Sequence, residues 1–160
     1  MKKQILITSA LCLGLMASAE TIDVKSFRYA GPYAVQKPYM IDNVDVNSKE
    51  FSMKSMLDTP LSLDVLEQTP VSSQLPALSG NALHVLAFNV QNTSYTKAKL
   101  KVEGLANYQV YVDGKKASGE LALNPATHTI IIKCLSEEGK TETPKVTLDT
   151  EKDGILAIRE

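Results

Sequence analysis

Residues 96–104, "TKAKLKVEG", alternate without a break: Ala98, Leu100 and Val102 fall on one side of an extended chain, Lys97, Lys99, Lys101 and Glu103 on the other. A period of two marks a half-buried strand, and a slip of one residue would bury three lysines, so the register is strongly specified. Burying Leu100 and Val102 is worth about 1.5–3 kcal/mol each, more than any surface pairing of the lysines returns. The stretch "ALHVLAFNVQN" is apolar on both sides, with His84, Leu86, Phe88 and Val90 on one and Leu83, Val85 and Ala87 on the other. It predicts a central strand covered on both faces. Further strands are predicted at "NYQVYVD", "ELALN" and "HTIIIKCL", joined by the turn pairs Asp113-Gly114 and Asn124-Pro125. "KVTLD" follows Pro144, and "ILAIRE" begins another strand after Asp153-Gly154. No helical period from Gly80 onward exceeds about two turns.

A two-residue hairpin loop at Asp113-Gly114 sets Val112 opposite Lys115, Tyr111 opposite Lys116 and Val110 opposite Ala117. Asp-Gly suits a type I′ turn, in which both central residues take positive φ. Parity then assigns Tyr108, Val110 and Val112 to the inner face, and Tyr111 and Lys116 to a solvent-facing cross-strand pair. Before Gly80 the pattern is less regular. Pro32 and Pro38 suit edge strands or an extended wrap, "NSKEFSMKSMLD" suits a brief helical turn, and "TPVSSQLPALSG" reads as an ordered loop.

At the N-terminus, Lys2 and Lys3 precede an apolar run from Ile5 to Met16 and the small residues Ala17, Ser18 and Ala19. This is the layout of a secretory signal peptide, residues 1–19, with cleavage expected after Ala19 and a periplasmic or extracellular destination. The run is shorter than the roughly 20 residues a spanning helix needs, so no membrane span is expected. Cys12 follows Leu11 rather than a small residue, which argues against a lipoprotein. Removing the signal leaves about 140 residues, enough for a single domain, 20–160, with a real core. The pattern leaves open that a following domain starts near 153–160. Of 17 Lys and Arg, two go with the signal, and 18 Asp and Glu outnumber the rest. The charges are dispersed, so nucleic acid is not an expected partner. Cys134 alone survives cleavage and cannot staple its own chain, so the core must come from apolar burial.

Candidate chemistry is thin. The G-x-S-x-G elbow of many hydrolases is absent, and "KASGE" around Ser118 lacks its first glycine. His128 and Cys134 lie six residues apart, roughly 20 Å along a strand, too far for a dyad or a shared metal. Both share a face with Ile130 and Ile132, as His84 does with Leu86 and Phe88, which makes all three core or core-margin residues. His84 and Cys134 could meet on antiparallel neighbours, yet two ligands do not make a zinc site. Asp42, Asp45, Asn47 and Glu50 are the right hard donors for calcium. The EF-hand pattern fails, however, with Lys49, Glu50 and Met56 at positions that need a ligand, a glycine and the closing glutamate. A solvated acidic turn is the simpler account, and no cofactor is expected. Asn92-Thr93-Ser94 matches an N-glycosylation acceptor, against which the bacterial-style signal weighs. Tyr29, Tyr33 and Tyr39, with Phe27, and Tyr111 further on, offer stacking faces to sugar rings, although buried or interdomain packing is the commoner use of aromatics.

Taken together, "ALHVLAFNVQN", "AKLKVEGLANYQVYVDGKKA" and "LALNPATHTIIIKCL" resemble the jelly-roll sandwiches attached to secreted bacterial hydrolases. In those, a "vyvdGk" hairpin precedes an "l-L-pG-Ht-i-i-k" strand. Tyr111 to Lys115 match the first motif, and Leu121 to Lys133 the second with Ala126 in place of glycine. The likeness covers about half of the chain after the signal and implies an all-β, antiparallel, jelly-roll-like sandwich. "FRYAGPYAVQKPYMID" also resembles the N-terminal region of prolyl-oligopeptidase-type peptidases whose next domain is a β-propeller. Their catalytic serine, aspartate and histidine would lie beyond residue 160, so no catalytic residue is assigned here. The resulting expectation is a non-catalytic accessory module of a larger secreted hydrolase. Its partners would be other domains of that chain, or a polysaccharide or peptide substrate. The alternatives are a stand-alone carbohydrate-binding module and the N-terminal fragment of a serine peptidase.

Overall fold

The computed structural model describes residues 20–36, 52–61, 69–71, 74–151 and 157–159. The signal segment, Cys12, Pro38, Tyr39 and the acidic stretch Asp42, Asp45, Asn47 and Glu50 lie outside these residues. The described chain forms eleven strands: β1 (Glu20–Val24), β2 (Phe27–Ala34), β3 (Thr69–Val71), β4 (Ala82–Asn92), β5 (Thr96–Glu103), β6 (Tyr108–Val112), β7 (Lys115–Ala117), β8 (Glu120–Leu123), β9 (Ala126–Ser136), β10 (Lys145–Thr150) and β11 (Ala157–Arg159). A single 3-10 turn covers Met53–Leu57. Among the described residues no helix is long and apolar enough to cross a membrane.

All pairings are antiparallel and build two sheets. The smaller has the order β1-β10-β5-β8; the larger runs β3-β2-β4-β9-β6-β7, with β11 also on β4. Set aside β2, β3 and β11, and the remaining eight strands form two quartets, β1-β10-β5-β8 and β4-β9-β6-β7, between which the chain repeatedly crosses. This is jelly-roll wiring, so the molecule is an all-β antiparallel sandwich of that kind. β2 pairs with β4 from Ala82 to Ala87, and β11 takes up the same edge from Asn89 to Gln91. Ala157–Arg159 therefore adds to this sheet.

The alternation explains the layers. Leu86, Phe88 and Val90 of β4 and Ile130 and Ile132 of β9 face Leu100 of β5, Leu121 and Leu123 of β8, and Val146 and Leu148 of β10, in one core between the sheets. Phe27 meets Phe88 edge to face at 6.0 Å, a contact worth about 0.5–1.5 kcal/mol beyond its buried area. The other face of β4 is covered too. Val85 and Ala87 pack with Ala30, Tyr111, Ile131 and Leu61, and Leu83 packs with Val35, Leu57, Leu135 and Met53. The segment 52–61 is thus a strap over the outer face of the larger sheet.

Two local expectations change. Thr69–Val71 is a strand against β2 rather than a loop, and Pro70 is tolerated because β3 is the sheet edge. Pro32 lies beyond Tyr29, where the pairing with β3 ends among the described residues, so it takes an edge-like position as expected, and it sits where the pairing with β4 skips between Ala30 and Tyr33. An irregularity relieves the ladder of the amide hydrogen that proline lacks. Tyr111 is opposite Lys116 as expected, and Asp113 and Gly114 have φ of 49° and 76° as the turn requires. Yet Tyr111 is not solvent-facing, because the strap covers it and leaves it 1% exposed.

Candidate functional site

A groove of about 570 Å3 opens on the outer face of the smaller sheet, within the range of small-molecule clefts. The strand registers build it. Asp149, Lys99 and Glu120 stand opposite one another across β10, β5 and β8, and Lys97 stands opposite Ala122 in the next row out. Glu151 closes that end. Neighbouring strands lie about 4.8 Å apart, so the groove presents carboxylate, ammonium and carboxylate at regular steps over the small side chain of Ala122. Lys101 holds Asp149 from one side at 2.6 Å, and Thr21 donates to it at 2.7 Å from β1. The hydrogen bond from Lys101 lowers the Asp149 carboxyl below the usual range, so it stays an acceptor. Thr150 lines the same groove, and its buried hydroxyl has no hydrogen-bond partner among the described residues.

A second, smaller cleft of about 320 Å3 lies between the β6–β7 hairpin and the β8–β9 turn, lined by Asp113, Lys115, Lys116, Glu120, Asn124 and His128 among others. His128 reaches the Asp113 carboxylate at 2.6 Å and the Asn124 carbonyl at 2.8 Å.

His84 and Cys134 do meet, directly opposite each other on β4 and β9, and both are buried. The partners of His84 are Tyr29, whose hydroxyl lies 3.0 Å from Nδ1, and Ser136, whose hydroxyl lies 2.8 Å from Nε2. The Ser136 hydroxyl in turn donates to the Ala82 carbonyl at 3.4 Å. One set of directions satisfies all three groups. Tyr29 donates to Nδ1, Nε2–H donates to Ser136, and Ser136 donates onward. Burial lowers the proton affinity of the imidazole, which keeps the ring neutral as this pattern requires. Burial also raises the Tyr29 hydroxyl, which keeps it a donor, and pushes the Cys134 thiol up to about 12. A thiol at that value carries almost no nucleophilic thiolate. Ser136 and His84 stand at the distance of a nucleophile and its base, but they are 3% and 1% exposed and their hydrogen bonds point inward. The arrangement is that of a satisfied core histidine. Among the described residues no group of three or more His, Cys, Asp or Glu could hold a metal ion.

Of the tyrosines singled out as stacking residues, the three described, Tyr29, Tyr33 and Tyr111, do not form one exposed platform. Tyr29 belongs to the core, and Tyr111 lies beneath the strap and donates to the Leu57 carbonyl. Tyr33 is 37% exposed at the end of β2, and Tyr39 lies outside the described residues. Tyr95 and Tyr108 are exposed as well, so Tyr108, at the end of β6, is not the inward-facing residue that parity predicts. Asn92 of the glycosylation-like triplet is buried, and its amide nitrogen donates to the carbonyls of Ser94, Leu123 and Asn124.

Comparison with known proteins gives no match: no family model, no curated protein and no solved structure is similar to this chain.

Proposed function

We propose that this chain is an exported, non-catalytic jelly-roll module that works as the accessory part of a larger secreted hydrolase and holds that enzyme's polymeric substrate in the groove of the smaller sheet. The observation that carries this reading is the cross-strand row Asp149, Lys99 and Glu120 with the adjoining Lys97 and Glu151. Acceptors and donors alternate along it, and the two signs nearly balance. A hydroxyl is both donor and acceptor, so a neutral polysaccharide can satisfy such a row, whereas a polyanion would meet three carboxylates. Substrate contact through strand-borne polar side chains also suits a rigid scaffold better than loops would. Residues 1–19 direct the module to the periplasm or beyond, where such polymers are found.

Affinity electrophoresis through gels containing soluble neutral polysaccharides tests the reading. At least one polymer should retard the wild-type protein, and Glu120→Ala or Lys99→Ala should relieve the retardation without changing the unfolding midpoint. Retardation that survives both substitutions, or none on any neutral polymer, would overturn it.

A further inference from the structure

His128 sits in the second cleft, which adjoins the groove along Glu120, Leu121 and Ala122, with an acceptor in front of each ring nitrogen. Nδ1 faces the Asp113 carboxylate at 2.6 Å, and Nε2 faces the Asn124 main-chain carbonyl at 2.8 Å. Neither a carboxylate nor a carbonyl can donate a hydrogen bond. A neutral imidazole has one N–H, so it could serve only one of these oxygens and would press a lone pair against the other. Both contacts are hydrogen bonds only when the ring carries two protons. The structure assigns His128 the imidazolium form, and we infer that it is a proton-operated latch tying the β6–β7 turn to the β8–β9 turn across the cleft.

The latch sits where its loss would be felt. Asp113 is also bound to Thr129 twice, its Oδ1 accepting from the Thr129 amide at 2.9 Å and its own amide donating to the Thr129 carbonyl at 2.9 Å. The Asn124 carbonyl lies in the turn that leads into β9 and also accepts from Asn92. Protonation of one ring therefore fixes the positions of two turns, one within the larger sheet and one that joins the smaller sheet to it. The charged groups around it are Asp113, Lys115 and Lys116 from the hairpin and Glu120 from β8. The strand opposite brings Val90, which carries no charge. Burial alone would lower the proton affinity of His128. The hydrogen bond to Asp113, the Asn124 carbonyl and the Asp113 charge outweigh it and raise the value above the ordinary 6.5. A folded-state value above the unfolded one means that the latch contributes fully below about pH 6.5 and is lost as pH rises through the folded value. Above it the ring is neutral, one of the two bonds goes, and the hairpin tip is held there by the two Asp113–Thr129 bonds without the full latch.

The chain has two histidines, so a nitrogen-15 NMR titration of the full protein sees two imidazoles. The result expected is one ring with both nitrogens protonated that titrates above 6.5, and one buried ring that stays neutral. In Asp113→Asn the first ring should titrate lower while the His84 signals stay fixed. Exchange of the Thr129 amide, corrected for its intrinsic pH dependence, should rise across the same titration, by up to about tenfold for each unit by which the folded value exceeds the ordinary one. A His128 ring that is neutral below 6.5, a titration unmoved in Asp113→Asn, or Thr129 protection that ignores the titration would each overturn the latch. If Asp113→Asn does not fold, the wild-type titration and exchange profile still decide.

Discussion

Tyr29→Phe removes the hydroxyl that donates to His84 Nδ1 and changes little else, since Tyr29 is a ring packed in the core. The neutral ring would then carry a buried acceptor with no partner, which costs about 1–3 kcal/mol. A urea midpoint should fall accordingly, and an unchanged midpoint would mean that the imidazole is satisfied elsewhere. Two glycines separate backbone conformation from crowding. Gly104 and Gly114 have nearly the same φ, 74° and 76°. A Cβ on Gly104 would lie 1.9 Å from the Thr143 carbonyl oxygen, whereas one on Gly114 meets open space. Alanine at either position must adopt a conformation that L residues avoid, and at Gly104 the backbone of 143–144 must also move. Gly104→Ala should therefore cost well over about 1 kcal/mol and Gly114→Ala distinctly less, read as the difference between their thermal midpoints.

Among the elements, the strap of residues 52–61 depends on polar groups that rise from the larger sheet to meet it. Lys133 donates to the Met56 and Thr59 carbonyls, Tyr111 to the Leu57 carbonyl, and Lys116 pairs with Asp58 at 2.6 Å. Lys133 is buried on β9, which lowers the proton affinity of its amine, so these carbonyls and the nearby Asp58 carboxylate offset the cost of its charge. Charge-assisted hydrogen bonds of this kind contribute about 1.5–3 kcal/mol, so Lys133→Met should raise local opening of the strap about tenfold or more. Hydrogen exchange or limited proteolysis within 52–61 would show it, while the β4–β9 ladder keeps its protection. Unaltered exchange would mean that Leu57, Leu61 and Met53 hold the strap by apolar contact alone. The strap also explains which parts of the fold were legible beforehand. Strands β4 to β10 follow from period-two alternation, because both neighbours of each residue reveal its side. The burial of Tyr111 is not legible in this way because the residue that covers it, Leu57, lies 54 positions earlier, and alternation tells inside from outside only where one face is bare. Thr69–Val71 gives no strand signal because three residues with a proline carry no period at all.

For the whole molecule, the jelly-roll wiring joins strands that are remote in sequence, and the candidate groove inherits that property. Its charged residues come from β5, β8 and the end of β10. No local motif could announce it, and the legible signs, the alternating lysines of β5, read as a solvated face. The same wiring governs folding. β1 completes the smaller sheet only by pairing with β10, where Thr21 and Asp149 are 128 positions apart, and β4 pairs with β9 across the four intervening strands β5 to β8. Closing such loops costs entropy before any contact repays it, and sandwiches of this type fold in milliseconds to seconds. With no tryptophan in the chain, tyrosine fluorescence and far-ultraviolet circular dichroism are the natural probes. Because one core lies between the sheets, both probes should report the same unfolding transition, and Phe88→Ala should shift both together by about 3–5 kcal/mol. Refolding on that slow scale, with neither sheet formed alone, is the expected outcome. A microsecond phase carrying the full amplitude, or a Phe88→Ala protein in which one probe melts well before the other, would show that the sheets are stable separately and that the two layers do not form one cooperative unit.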